Sequence, residues 1–165
     1  MAITGSNYSL QKALNRFSSF LSSSVLFTFS LLLAFVGFLD ATYLTITHYK
    51  HIIPPCTVSG GGCETVLTSQ FATIFGIPIA IFGALYYIAL LMFLLLYQQK
   101  KQSQLLFLSL LLVSVGLFVS IVLIIIQGFV LHAFCQYCLV SEVVTFILFD
   151  TVWWLRRKSI VHKQA

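Results

Sequence analysis

The sequence predicts an all-α fold, an integral-membrane bundle of four transmembrane helices with both termini in the cytoplasm (N-in/C-in). Three observations predict it. Apolar residues make up 59% of the 165-residue chain and charged ones only 8%, a balance that would leave a water-soluble domain with large apolar surfaces. The apolar residues gather into four runs, each long enough to cross a bilayer. The cations are then shared unevenly between the connections. Lys12, Arg16, Lys100, Lys101, Arg156, Arg157, Lys158 and Lys163 flank one set of run ends, and Lys50 alone lies at the other. That bias puts the termini and the middle connection inside and the two remaining connections outside. It also accounts for the net charge of +5 without a nucleic-acid partner, and none is expected. Four spans and their connections use residues 1–165 as a single domain, leaving no room for an appended soluble one.

Residues 1–21 are expected to be a cytoplasmic, interfacial segment. Several serines and no acidic group give it some likeness to a cleaved targeting peptide. However, Leu10, Leu14, Phe17 and Leu21 recur at helical spacing with Lys12 and Arg16 off that stripe, as in a helix lying in the membrane surface. The first run extends from about Ser22 to His48 and contains one charge, Asp40. An ionisable group at that depth must face the bundle interior or water, either tucked against a polar partner or as a member of a proton path.

Residues 49–73 form the extracytoplasmic loop. Pro54-Pro55 stops any helix there, and Ser59-Gly60-Gly61-Gly62 supplies a bend between Cys56 and Cys63 that lets the two sulfurs meet. Glu64 to Ser69 then reads as a helical turn. The second run, about Ile74 to Tyr97, opens with Phe75-Gly76-Ile77-Pro78, where proline is tolerated near a helix start. Gly76, Ala80 and Gly83 form a small-residue face suited to close helix packing.

Gln98 to Gln104 is a short inner turn. The third run, about Leu105 to Leu131, has no charge and dense Leu, Val and Ile; it is expected to face lipid and carry no chemistry. His132-Ala133-Phe134 makes a minimal outer connection. The fourth run continues from Cys135-Gln136-Tyr137-Cys138 to Leu155, with Trp153, Trp154, Arg156 and Arg157 as an aromatic belt and positive flank at its inner end. Asp150 lies near enough to that end to reach water or an arginine.

The chemistry is expected in the cysteines. Cys135 and Cys138 share one helix face, with Ser141 and Glu142 following below Cys138. A Cys-x-x-Cys at a helix start also sets a sulfur near the positive end of the dipole, which favours thiolate. Two such pairs on the oxidising side of a membrane can pass a disulfide between them by successive thiolate attack. Two alternatives stay open from the residues alone. A tetrathiolate zinc site is opposed by the apolar position of the second pair and the wide spacing of the first, so no metal is expected. Purely structural disulfides are opposed by the strain of a bond across a Cys-x-x-Cys helix turn, which makes such bonds reducible. Glu142 lies one turn deeper than Cys138, where a charged carboxylate is costly, and it is expected to sit by the electron acceptor and manage protons. His48, His51 and His132 near the outer surface carry no assignment.

The order of these residues resembles the vitamin K epoxide reductase family, in particular its stand-alone bacterial members. The resemblance rests on Gly37, Asp40, Leu44 and Thr45, then Cys56, Cys63, Ser69, Phe71-Ala72, Phe75-Gly76-Ile77-Pro78, Gly83 and Tyr86, and finally Cys135-Gln136-Tyr137-Cys138. The DsbB family, another four-helix disulfide-forming group, differs in placing its Cys-x-x-Cys after the first span. The resemblance implies a four-helix bundle enclosing a quinone (ubiquinone, menaquinone or a vitamin K-type compound) at its outer end, in the inner (plasma) membrane of the cell. It implies a membrane thiol:quinone oxidoreductase that oxidises a periplasmic thioredoxin-fold protein of the DsbA kind. Cys56 would exchange with that partner, Cys63 would shuttle to Cys135, and Cys138 would lie next to the quinone ring. Ser69 would position the quinone oxygen and the relay, and Phe71, Ile79, Gly83 and Tyr86 would shape the pocket with Ser141 and Glu142. Ile79 and Glu142 stand where the animal enzymes carry an asparagine and a tyrosine, so plain quinone reduction is expected over vitamin K epoxide reduction. Many bacterial relatives carry a fused thioredoxin-like domain, and the partner is here expected to be a separate chain. The rival from another class is a non-catalytic membrane scaffold with structural disulfides.

Overall fold

The computed structural model describes residues 4–56 and 62–164, with side-chain surroundings for residues 24–56 and 62–160. Among the described residues there are five helices: α1 (Thr4–Tyr49), α2 (Gly62–Leu67), α3 (Ile79–Lys100), α4 (Ser103–Ile125) and α5 (Gln136–Gln164). A 3-10 turn, Gln70–Ala72, and two short antiparallel strands, β1 (Thr73–Ile74) and β2 (Ile77–Pro78), link α2 to α3. Four segments are long and apolar enough to cross a membrane: Ser24–Tyr49, Ile79–Lys100, Ser103–Val130 and Gln136–Ile160. They pack in the cyclic order α1, α3, α4, α5, each against two neighbours.

The outward faces carry the apolar side chains that lipid would solvate, among them Leu32, Leu85, Phe118 and Val143. The inward faces meet in one cluster built on Ala34, Ala41, Tyr87, Leu90, Leu94, Val113, Leu148 and Val152. Tyr87 is its centre. Gly37 of α1 leaves the space its ring fills, and a Cβ at that position would fall inside the ring. Its hydroxyl reaches across to α5, 2.9 Å from both the carbonyl oxygen and the Oγ of Ser141 and 3.1 Å from Thr145 Oγ1. At the opposite end from the cysteines, Arg156 lies over the Phe107 ring and Arg157 over Trp153, and Asp150 is exposed.

The elements depart from expectation in four places. The helix preceding the first span does not stand apart, because α1 runs unbroken from Thr4 into the span; the side chains of its apolar stripe lie outside the described residues, as does the Ser59-Gly60-Gly61 bend. The second span begins at Ile79, not Ile74. Phe75 and Gly76 both take positive φ, 52° and 79°, which no helix tolerates, and they turn β1 back onto β2. Gly76 therefore serves a turn and not a packing face, whereas Gly83 does approach a neighbour, Ala41 of α1. Finally, the third span does not end as a regular helix. Residues Ile126–Val130 widen into a π-helical turn, closed by the Leu131 N–H on the Ile126 carbonyl at 2.9 Å.

Candidate functional site

The loop after α1 is pressed onto the head of α5. Cys56 and Cys63 are joined by a disulfide with their Cα atoms 5.9 Å apart. Gly62 permits the close approach, since a Cβ there would meet the backbone carbonyl of Phe134, which has no rotamer to yield with. From the other side, the Pro55 carbonyl accepts hydrogen bonds from Gln136 Nε2 at 3.2 Å and from the Tyr137 hydroxyl at 3.1 Å. Cys63 and Cys135 are thereby both fully buried in one small cluster with Val66, against which Cys56 and Cys138 also pack. The structure thus gathers all four sulfurs at one end of the bundle.

Cys135 stands immediately before α5, and its carbonyl accepts the Leu139 N–H at 2.9 Å, so Cys138 sits in the first turn. Both are free thiols. The Cys135 sulfur accepts from the Cys138 thiol and, at 3.4 Å, from the Cys138 backbone N–H. These hydrogen bonds hold the Cys135 thiol at about 7, below its ordinary value, against burial that pushes it up.

Below the sulfurs lies a cavity of about 120 Å³ between α1, the loop, α3, α4 and α5. Leu44, Val66, Phe71, Ile79, Leu123 and Leu131 give it apolar walls, and Ser69, Gln127, Cys138 and Glu142 supply its polar atoms. Of the residues expected to surround a ligand, Ser69, Phe71, Ile79, Cys138 and Glu142 are brought together here. Ser69 Oγ donates to the Val66 carbonyl at 2.8 Å, leaving its lone pairs toward an incoming donor. Gly83, Tyr86 and Ser141 are placed elsewhere: Gly83 against Ala41, Tyr86 in the notch left by Gly116, and Ser141 on the Tyr87 hydroxyl. Asp40 is half-buried on α1, and its Oδ2 has no hydrogen-bond partner among the described residues.

Two polar contributors were not foreseen. His48 lines the cavity, and a boundary histidine offers no pattern to distinguish it from a solvated one. Gln127 is the larger correction, because it belongs to the third span, for which no chemistry was expected. It is buried, accepts the Cys135 backbone N–H on Oε1 at 2.9 Å, and donates from Nε2 to Glu142 Oε1 at 2.9 Å. The available signal was a lone amide at the end of a run otherwise made of apolar residues, three serines and two glycines.

The model of the vitamin K epoxide reductase family matches residues 28–153, a stretch that contains all four cysteines and every wall of the cavity. The chain belongs to that family. Membership in the vitamin K epoxide reductase family implies an oxidoreductase and points to disulfide and quinone chemistry in the membrane. Comparison with curated proteins finds no match. The lining chemistry of the cavity is compatible with the quinone that family members use. Its walls are apolar enough for a ring, and the buried Glu142 Oε2 lacks a hydrogen-bond partner among the described residues, so it is free to face a carbonyl or hydroxyl oxygen at the ring's edge.

Proposed function

We propose that the protein is a membrane protein-disulfide:quinone oxidoreductase that makes disulfides in a thioredoxin-fold partner of the DsbA kind on the extracytoplasmic face. The observation that carries this reading is the shared burial of Cys63 and Cys135 in one cluster, against which Cys138 packs while it also lines the cavity. A partner thiolate attacks Cys56, the less buried end of the loop disulfide, and expels Cys63 as thiolate. The partner's second thiol resolves the mixed disulfide, so the partner leaves oxidised and the loop pair is left as two thiols. Cys63 then attacks Cys135 of an oxidised Cys135–Cys138 pair, expelling Cys138. Cys56 closes back on Cys63 and releases Cys135. The loop regains its bond, and the helix pair holds the two electrons and two protons. A quinone held in the cavity would supply the oxidant that takes them up, and the Cys135–Cys138 disulfide would re-form.

The chain's own contribution is placement. Close packing of α2 on residues 133–135 holds Cys63 and Cys135 in one buried cluster, which supports exchange without a diffusive search. The low value of the Cys135 thiol makes it both a good leaving group and the member of its pair ready to act as thiolate. Ser69 and Glu142 supply polar atoms to the cavity wall, and Phe71 and Ile79 supply apolar ones, where a ligand would sit.

The test is quinone-dependent oxidation of a reduced thioredoxin-fold protein by the purified chain in lipid nanodiscs, with acid trapping of thiols. Cys135→Ala is expected to accumulate the loop pair as thiols and to stop after one equivalent of partner. Equal turnover by this variant and wild type, or no quinone dependence in wild type, would favour a scaffold whose disulfides only pin the loop. Mass spectrometry of extracted quinone identifies the acceptor.

A further inference from the structure

Gln127 makes two hydrogen bonds that depend on one another. The Cys135 N–H can only donate, so the amide oxygen must face it, and the amide nitrogen must then face Glu142. Glu142 Oε1 is therefore the oxygen that is held. Oε2 is left buried, and it has no partner among the described residues. Gln127 is kept in place by the widened turn, in which its own carbonyl accepts the Ala133 N–H at 3.0 Å. Such turns interrupt a helix at some cost and recur at functional positions. One amide thus links the cysteine that receives electrons from the loop to the carboxyl beside the cavity.

We propose that Gln127 is a positioning residue for the electron-accepting half of the reaction: by holding Glu142 Oε1, it aims Oε2 at the bound acceptor's oxygen. The inference rests on the quinone-reducing reading above. It predicts a division of labour between the half-reactions, since the side-chain hydrogen bonds of Gln127 run to Cys135 and Glu142, on the electron-accepting side of the relay.

The experiment compares wild type, Gln127→Leu, Glu142→Leu and the double variant in nanodiscs, using a short-chain ubiquinone or menadione as acceptor and a reduced thioredoxin-fold protein as donor. Gln127→Leu is expected to lower kcat/KM for the quinone by roughly ten- to a hundred-fold, the size of one hydrogen bond to a buried carboxyl. Oxidation of the first equivalent of partner in the absence of quinone is expected to keep its wild-type rate. In the Glu142→Leu background there is no carboxyl to aim, so adding Gln127→Leu is expected to cost nothing further. Losses that multiply in the double variant, or an equal loss in the quinone-independent half-reaction, would overturn the proposal by showing that Gln127 acts on Cys135 or on the fold. Wild-type turnover with no loss in Gln127→Leu would overturn it as well. Absence of quinone turnover in wild type would instead remove the reading beneath it. Should Gln127→Leu fail to accumulate, the near-isosteric Gln127→Met carries the same comparison.

Discussion

Around Tyr87 the four spans meet through one buried ring, whereas at the cysteine end the same helices stand apart around a cavity roofed by a loop. In the first region, Gly37 yields its side-chain volume to the ring, the hydroxyl ties α3 to α5, and Leu90, Leu94, Leu148 and Val152 fill the remaining space. In the second, the buried apolar cluster is smaller, Cys63, Val66 and Cys135 among the described residues, and the buried Glu142 Oε2 lacks a hydrogen-bond partner among them. The difference separates two jobs. Dense packing fixes the helices relative to one another, and the thinner end can then exchange covalent bonds within a frame that does not follow it.

Substitutions should therefore sort by region. The largest catalytic effect is expected from Cys63→Ala, which removes the sulfur proposed to link the two pairs: turnover should fall to background while the thermal midpoint of the bundle moves little. The largest stability effect is expected at the other end. Gly37→Leu forces a side chain into the Tyr87 ring, and overpacking there should cost about 3 kcal/mol or more, read as lower accumulation and earlier thermal unfolding in detergent. Gly62→Val tests the boundary between them. Its side chain would push α2 off the Phe134 carbonyl, and a displacement of about 1 Å between reacting groups costs on the order of a hundred-fold in rate. Internal exchange between the loop pair and the helix pair, followed by acid trapping, should slow accordingly, with unfolding near wild type. Comparable damage to unfolding by Gly62→Val and Gly37→Leu would erase the contrast.

The same contrast governs what could be read from the chain. The four spans follow from runs of apolar residues, a signal that needs no partner, and the cysteine pairs stand out by type and spacing. Phe75 and Gly76 were harder, because Pro78 marks a helix start equally well whether the residues before it are helical or turned. The cavity walls split by the same logic. Ser69, Phe71, Ile79, Cys138 and Glu142 converge, but Gly83 and Ser141, on the same helices, turn toward α1 and Tyr87, and a one-dimensional pattern does not say which neighbour each face of a helix meets. Gln127 was missed for a related reason. Its meaning comes from two partners, one eight and one fifteen residues away, brought to it by a widened turn that no residue in Ile126–Val130 announces.

Smaller effects sharpen the picture at the cysteine end. A Cys135 thiol held at about 7 is mostly thiolate at pH 8 and mostly protonated at pH 6, whereas an ordinary thiol would be protonated at both. Loss of the thiolate as pH falls should reduce turnover about tenfold per unit below 7. Thiolate absorbance near 240 nm should titrate over the same range in wild type and lose that step in Cys135→Ser; a midpoint near 9 would show that the hydrogen bonds from Cys138 do not act. Tyr137→Phe is expected to do least. It deletes one exposed hydrogen bond to the Pro55 carbonyl, worth about 0.5–1 kcal/mol, while Gln136 continues to hold the same carbonyl. The loop should open a few-fold more often, seen as faster hydrogen exchange at Cys56 and its neighbours with no change at Leu90 or Leu148. Faster exchange at those core positions too would mean that the loop and the packed half of the bundle loosen as one unit.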